Sequence, residues 1–256
     1  MKQGKLVRTQ NVVAADQCIE YLLNRPKLEM VGLGLLYGKP GLGKTTYASR
    51  MAFSKGYLYL RLEATTTPKS FAQQLLLALY KRFNLGHHLP YGTANNLFKR
   101  CLDILEDHAD LVIVIDEIDY AFKHQQLLGA IRDIVDETLT IIILVGMQNA
   151  KDKLLQINEY YFDRCNVFYE FQPVIKKDIT NLIKEISEID ADTNLIDYVD
   201  FHACGNLRKA MKILYSIEQD TNNARDRVSD TQANQNNQPA PTKDINLNQN
   251  LNLGYQ

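Results

Sequence analysis

The sequence predicts an α/β fold in which a parallel sheet is sandwiched by helices and followed by a small helical lid. Four continuous apolar runs alternate with helical stretches, at residues 31–37, 57–62, 111–116 and 140–146. Continuous rather than alternating apolarity indicates strands that are buried on both faces, as in parallel sheets. After Pro173 the pattern changes to short amphipathic helices only, which predicts the lid.

The remaining elements follow from periodicity and from helix-breaking residues. A lead-in segment, 1–30, contains a helical pattern over 14–23 that ends before Pro26, because proline disfavours helix in the residue before it. A fifth strand is predicted at 166–171, within an α/β domain that spans 31–173. Helices are predicted over 44–54, 68–83, 94–105 and 125–138 in that domain, and over 176–189, 192–203 and 205–218 in a lid of residues 174–218.

The last segment, 219–256, has a different composition. Fifteen of its 38 residues are Asn or Gln, and aromatic residues are almost absent. Such a segment buries too little apolar area to offset the entropy of ordering it. The sequence therefore predicts a disordered tail.

Composition excludes few functions but restricts how nucleic acid is bound. The formal net charge of −1 gives no overall basic field, so any contact with DNA must come from a local patch or from several subunits acting together. The four cysteines are widely scattered, which is typical of free thiols in a reducing compartment. No apolar run approaches the ~20 residues of a membrane span, and the N-terminus lacks the apolar core of a signal peptide. We expect a cytoplasmic protein without membrane contact.

The strongest functional motif lies between the first strand and the helix that follows it. Residues 38–45 read GKPGLGKT and fit the phosphate-binding pattern G-x-x-x-x-G-K-[ST]. Glycines let backbone N–H groups wrap phosphates, Lys44 would neutralise the β and γ oxygens of ATP, and Thr45 would bind Mg²⁺. The predicted ATP-binding residues are Gly38, Lys39, Pro40, Gly41, Leu42, Gly43, Lys44, Thr45 and Thr46.

A second motif is the pair of carboxylates that ends the strand at 111–116. Asp116 and Glu117 follow a buried strand, where ligands lie in an open parallel sheet. Asp116 is predicted to hold the Mg²⁺ shell, and Glu117 to orient and polarise the attacking water. Acidic residues at a strand end are common, so this assignment depends on the phosphate-binding motif upstream.

Together these motifs resemble those of AAA+ ATPases over about residues 14–218. The family order continues with Asp119 after the acidic pair, the strand TIIILVGM, the segment FDRC at 162–165 and GNLR at 205–208. The resemblance implies an arginine finger at Arg164, which would reach ATP bound by a neighbouring subunit, and a second sensor at Arg208. The alternatives are a structural arginine and a helix-surface charge.

The first sensor departs from the family pattern. The polar residue expected at the end of the fourth strand is displaced behind Gly146 and Met147. Either Gln148 or Asn149 fills the role, or each serves as a helix cap. The sequence does not choose between them.

Within AAA+ proteins, the chain resembles transposition ATPases of the MuB/TnsC type. The resemblance lies in the sequence of the phosphate-binding motif and of residues 61–68 and 131–147. That resemblance implies slow, regulatory ATP hydrolysis, assembly of a ring or helical filament on double-stranded DNA, and delivery of that DNA to a transposase. Many subunits with one or two phosphate contacts each bind tightly despite a neutral chain. The candidate DNA contacts are Thr65, Thr66, Thr67, Lys81, Arg82, Lys99 and Arg100, with a solvated helix face as the alternative for the basic residues.

Two other functions remain open at this level. One is a helicase loader or replication initiator with the same AAA+ core. The other is a nucleotide-gated switch for protein interactions that does not bind nucleic acid.

Overall fold

The structure is a computed structural model, and it describes residues 2, 4–86, 88, 90–108, 111–157 and 159–236 of the chain. The chain divides into two units, Met1–Tyr215 and Ser216–Gln256. The first unit contains a five-stranded sheet, its covering helices and most of the lid. In the second unit, the described part is a stretch of helix over 216–236.

The sheet is parallel throughout its described strands, in the order β2-β3-β4-β1-β5. All residues of the inner strands β3 and β4, and six of the seven residues of the inner strand β1, are buried, because helices cover both faces of the sheet. The strands are β1 Gly32–Gly38, β2 Leu58–Arg61, β3 Val112–Asp116, β4 Ile141–Val145 and β5 Cys165–Phe171. The predicted α/β fold with a parallel sheet is confirmed.

Seven α-helices in the described part of the first 163 residues surround this sheet. They are α1 Gln10–Leu23, α2 Lys44–Lys55, α3 Pro68–Phe83, α4 Ala94–Glu106, α5 Gln125–Glu137, α6 Ala150–Ile157 and α7 Glu159–Asp163. Helices α3, α4 and α5 contribute to an apolar cluster with Ile113 and Ile115 of β3. Helices α1 and α2 contribute to a second cluster with Val112 and Val114, which point to the opposite face of the same strand.

Local capping explains where two of the helices begin. Helix α3 spans the predicted residues because Pro68 occupies its first turn and Thr67 forms a capping box with Ser70. Helix α1 begins at Gln10, four residues before the predicted start, because the Thr9 hydroxyl accepts a hydrogen bond from the Val12 amide at 3.3 Å. The apolar periodicity alone did not include this first turn.

Helix α1 is joined by partly buried polar contacts to the residue that follows β5 and to the segment beyond it. The Asn11 side chain donates to the Gln172 carbonyl at 2.7 Å and accepts from the Gln172 amide at 2.8 Å. The Gln10 amide donates to an Asp178 carboxylate oxygen at 2.8 Å. The lead-in helix is therefore part of the first unit and fixes the segment that leads into the lid.

Three helices follow Pro173 in the described chain: α8 Lys176–Ile186, α9 Thr193–Ala203 and α10 Leu207–Asn236. The last helix corrects one expectation, since residues 219–236 are helical although composition predicted no structure there. No Gly or Pro lies between Gly205 and Pro239, so the sequence contains no strong helix-breaking residue in this stretch. Residues 237–256, the rest of the predicted tail, lie outside the described residues. None of the described helices has the length and apolarity that crossing a membrane requires.

Candidate active site

A cavity of about 230 Å³ lies at the carboxyl ends of β1, β3 and β4. This is the edge of an open parallel sheet at which ligands bind. The cavity is lined by Pro40, Gly41, Gly43, Lys44, Thr45, Thr46, Asp116, Glu117, Val145, Gly146, Met147 and Arg208. The structure thus brings the predicted phosphate loop, both carboxylates and one predicted lid arginine to a single site.

Positive φ angles shape the loop between β1 and α2. Gly38, Gly41 and Gly43 have φ angles of 144°, 84° and 94°, which residues with a Cβ rarely adopt. Gly43 is the N-cap of α2 and contributes no side-chain cap. The first N–H groups of an α-helix have no intrahelical acceptor, so the start of α2 presents donors beside the cavity.

Replacing Gly41 by Ala is expected to destabilise the protein and weaken its nucleotide binding. A Cβ at Gly41 would lie 2.5 Å from side-chain atoms of Asn206, in addition to the strain of a φ angle of 84°. We expect a loss of about 1–2 kcal/mol in the free energy of unfolding from the strain alone, measured by urea denaturation.

Gly129→Ala is the matched control for this substitution. Gly129 lies in α5, and a Cβ added there would have the Tyr161 hydroxyl as its nearest neighbour, at 3.8 Å. Alanine in a helix interior is expected to stabilise by up to about 1 kcal/mol. Equal stabilities of the two variants would contradict the steric argument for Gly41.

Lys44 is held inside the loop by two backbone carbonyls. Its ammonium donates to the carbonyl of Gly38 at 2.7 Å and to that of Lys39 at 2.9 Å, and the residue is 8% exposed. Burial lowers the pKa of Lys44 below its usual value, and the nearby carboxylates of Asp116 and Glu117 oppose that shift. The amine is therefore oriented toward the loop that would surround a phosphate.

Asp116 is buried and both of its oxygens accept hydrogen bonds. Oδ2 accepts from the Tyr59 hydroxyl at 2.8 Å, and Oδ1 accepts from the Glu117 amide at 2.8 Å. Asp116 is 2% exposed. These contacts hold the carboxylate at the inner wall of the cavity.

Glu117 lies at the cavity mouth in a strained backbone conformation. Its φ and ψ angles are 59° and 42°, in the left-handed region, which costs of order 1–3 kcal/mol for a residue with a side chain. The turn is supported by the Tyr120 amide, which donates to the Glu117 carbonyl at 3.1 Å. The Glu117 carboxylate accepts from the Arg61 guanidinium at 3.2 Å, so the predicted metal ligand Asp116 and the predicted catalytic Glu117 are held by different residues of β2.

The turn after β4 contains both candidates for the first sensor. The Met147 amide donates to the Asp119 carboxylate at 2.6 Å, which fixes the turn against the helix Ile118–Lys123. Gln148 and Asn149 are exposed and line a neighbouring cavity of about 520 Å³ together with Glu117. Both side chains therefore lie near the acidic pair, and the choice between them stays a prediction.

The first turn of α10 contacts the phosphate loop directly. The Arg208 amide donates to the Gly41 carbonyl at 3.0 Å, and the Asn206 side chain donates to the Pro40 carbonyl at 3.3 Å. The Asn206 side chain also accepts from the Lys209 amide at 3.0 Å. Asn206 was missed at the sequence level, although an Asn before a helix is a recognisable capping signal.

Arg164 lies away from this cavity. Its guanidinium donates to Asp136 of α5 at 2.6 Å, and its side chain is 22% exposed. The structure does not bring Arg164 to the phosphate loop of its own chain. Its role as a finger that acts on a neighbouring subunit stays a prediction.

The candidate DNA contacts differ in their accessibility. Lys81, Arg82, Lys99 and Arg100 are exposed on α3 and α4, and their role as DNA contacts stays a prediction. Thr66 is a correction, because it is buried and its hydroxyl accepts from the Glu63 amide at 2.8 Å. Thr67 is exposed, but its hydroxyl caps α3. Thr65 is also exposed. The local hydrogen bonds described above are made by the hydroxyls of Thr66 and Thr67 and do not involve the Thr65 side chain.

Comparison with known proteins supports this description of the fold. Residues 29–154 match the family model described as an AAA domain, a range that includes the phosphate loop and both carboxylates. The chain has the AAA+ P-loop fold. The fold that the resemblance to AAA+ ATPases implies is therefore confirmed.

Individual relatives are distant. The chain is 30% identical to a "Protein CfxQ homolog" of Guillardia theta over 57% of this chain and 43% of the relative. It is 25% identical to the replication factor C large subunit of Thermofilum pendens over 72% of this chain and 40% of the relative. The chain thus spans less than half the length of these two curated relatives.

A solved structure with the same AAA+ fold is the Aeropyrum pernix ORC1 protein in complex with DNA. It superimposes with a TM-score of 0.60 at 19% sequence identity, over 85% of this chain and 62% of that chain. At this identity the likeness concerns the fold alone. No transposition ATPase is among the relatives named here, so the resemblance to the MuB/TnsC type stays a prediction.

Proposed function

We propose that this chain is an ATPase that binds ATP and Mg²⁺ in the cavity at the carboxyl end of the sheet. One observation carries the proposal: Lys44, the glycine loop, the acidic pair and Arg208 line the same cavity. Phosphoryl transfer needs positioning and charge stabilisation more than covalent chemistry from the protein. This arrangement supplies a cation, backbone donors and carboxylates in that space.

The residues present fit ATP with Mg²⁺. The Lys44 ammonium and the N–H groups at the start of α2 would bind the β and γ phosphates. The Thr45 hydroxyl and the Asp116 carboxylate are oxygen ligands of the kind Mg²⁺ prefers. When bound, Mg²⁺ would neutralise charge on the phosphate oxygens.

Glu117 is the residue best placed to act on a water molecule. Its side chain is 28% exposed at the cavity mouth, whereas Asp116 is buried behind it. Glu117 would accept a proton from the attacking water and orient it toward the γ phosphate. Arg208, and Arg164 from a neighbouring subunit, would stabilise the charge that develops on the phosphate.

We further propose that the ATP-bound protein assembles on double-stranded DNA in a replication-associated role, as an initiator or a loader. The replication factor C relative and the DNA-bound ORC1 structure support this assignment over transposition. Several subunits, each contributing exposed basic residues of α3 and α4, would hold the duplex despite a net charge of −1. This function predicts ATP-dependent, salt-sensitive DNA binding.

Fluorescence anisotropy of a labelled random-sequence duplex tests this prediction. We expect steep binding with ATP and weak binding with ADP or without nucleotide. A Lys81→Glu/Arg82→Glu variant should bind DNA more weakly, and its plot of log affinity against log salt should be shallower by about 0.9 per lost phosphate contact. The control is Lys177→Glu/Lys184→Glu, which makes the same change in charge at exposed positions of α8.

Two results would contradict the DNA assignment. Equal losses in both double variants would show a general charge effect rather than a DNA-binding face on α3. No binding to duplex under any nucleotide condition, with ATP hydrolysis intact, would replace the replication role by a nucleotide-gated protein-interaction switch.

A further inference from the structure

Tyr59 makes a specific contact with the proposed metal ligand. Its hydroxyl donates to Asp116 Oδ2 at 2.8 Å. Tyr59 lies on β2, which pairs in parallel with β3 so that Tyr59 is opposite Val114 and Arg61 is opposite Asp116. Residues two apart in a strand share a face, so Tyr59 and Arg61 point to the same side of the sheet as the acidic residue.

The ring and the hydroxyl of Tyr59 have different surroundings. The ring packs against the apolar cluster that includes Val112 and Val114. A carboxylate has no proton to donate, so the Tyr59 hydroxyl is the donor in its hydrogen bond with Asp116. A phenylalanine would fill the same apolar space but would not donate to the carboxylate.

The Tyr59 hydroxyl completes the fixation of the Asp116 carboxylate. Oδ1 accepts from the amide of Glu117, and because the terminal torsion of Asp has only a broad intrinsic preference, that single contact restricts the carboxylate less than two contacts do. The second contact, from Tyr59 to Oδ2, defines the plane of the carboxylate. Since an oxygen has more than one lone pair, both oxygens retain acceptor capacity toward the cavity.

We propose that Tyr59 is a positioning residue that orients Asp116 for Mg²⁺ binding. This inference rests on the proposed ATPase function and adds a residue to it. Tyr59 holds Asp116, whereas Arg61, two residues along the same strand, holds Glu117. Strand β2 therefore supports the metal ligand and the water-activating carboxylate through two separate contacts.

The Mg²⁺ dependence of ATP binding is the measurement that tests this role. ATP affinity is measured by isothermal calorimetry in EDTA and over a Mg²⁺ titration, for wild type and for Tyr59→Phe. Loss of an outer-shell hydrogen bond to a metal ligand typically weakens metal affinity 10–100-fold. We expect Tyr59→Phe to raise the Mg²⁺ concentration at half-maximal enhancement by about tenfold, with ATP affinity in EDTA unchanged.

Tyr169→Phe is the matched control because it also removes one hydroxyl hydrogen bond. Tyr169 lies on β5, away from the cavity, and its hydroxyl donates to Asn11 at 3.0 Å. We expect this variant to keep the wild-type Mg²⁺ midpoint. Asp116→Asn is the positive control, and it should lose most of the Mg²⁺ enhancement.

The outcomes separate this inference from the function on which it rests. One outcome would be that Tyr59→Phe and Tyr169→Phe have the same Mg²⁺ midpoint for ATP binding, while Asp116→Asn loses the enhancement by Mg²⁺. That outcome would overturn the role of Tyr59 and leave the ATPase assignment intact. Loss of ATP binding in EDTA by Tyr59→Phe would also overturn it, because the hydroxyl would then act on the fold as a whole. Absence of ATP binding by the wild type would instead overturn the proposed function.

Discussion

Glu117→Gln is expected to lower ATP hydrolysis by about 10²–10⁴-fold while ATP binding is retained. Glutamine keeps the size of the side chain and an oxygen that still accepts from Arg61, but it does not take a proton from water. The phosphate loop and Lys44 are unchanged in this variant. The protein should therefore remain in its ATP-bound state, and its DNA complex should last longer than that of the wild type.

Phosphate release under saturating ATP and calorimetric ATP affinity are the two measurements for this variant. Glu106→Gln serves as the matched control, since Glu106 is the exposed last residue of α4. It should hydrolyse ATP at the wild-type rate. Wild-type hydrolysis by Glu117→Gln would remove Glu117 from the reaction, and loss of ATP binding would assign it to binding instead.

Lys44→Ala is expected to weaken ATP binding by about 30- to 150-fold, from the loss of charge-assisted hydrogen bonds worth about 2–3 kcal/mol. The ammonium is already held at the loop by the carbonyls of Gly38 and Lys39, so little rearrangement is needed when phosphate binds. Alanine also removes the positive charge that interacts with the neighbouring carboxylates of Asp116 and Glu117. ATP-dependent DNA binding should be lost together with ATP affinity.

Calorimetry with ATP measures this loss, and Lys55→Ala is its matched control. Lys55 is exposed at the opposite end of the same helix, so the control removes an equal charge from α2 without touching the loop. A result in which both variants bind ATP equally well would show that the cavity is not the nucleotide site. Retained DNA binding by Lys44→Ala would separate DNA binding from the nucleotide.

The sequence predicted those parts of the fold whose causes are local. Strand β4 consists of continuous Ile, Leu and Val, and all of it is buried as expected. The predicted bounds of helix α3 match the structure. Thr67 and Pro68 mark its start, and Asn84, a residue type that tolerates a positive φ angle, marks its end. The helix at 219–236 is absent from the prediction because the polar, Asn/Gln-rich composition of this segment favours disorder, although the segment contains no Gly or Pro before Pro239.

The same distinction between local and distant causes applies to the residues of the candidate site. Lys44, Asp116 and Glu117 belong to short motifs next to identifiable strands, so they could be placed from sequence. Tyr59 and Asn206 act through contacts with residues 57 and 166 positions away, and no local pattern reports such contacts. The prediction of Thr66 as a DNA contact was wrong, because its hydroxyl accepts a hydrogen bond within its own turn.

The contacts between the lid and the phosphate loop also bear on which substitutions the protein should tolerate. Asn206 and the Arg208 amide bind the carbonyl oxygens of Pro40 and Gly41, which every amino acid carries. Exchange of the exposed Lys39 or Pro40 side chains therefore leaves the acceptors in place, whereas Gly41 and Asn206 each have a steric or hydrogen-bonding requirement. A saturation library of this loop should show sharply uneven mutational tolerance, with permissive positions directly beside intolerant ones.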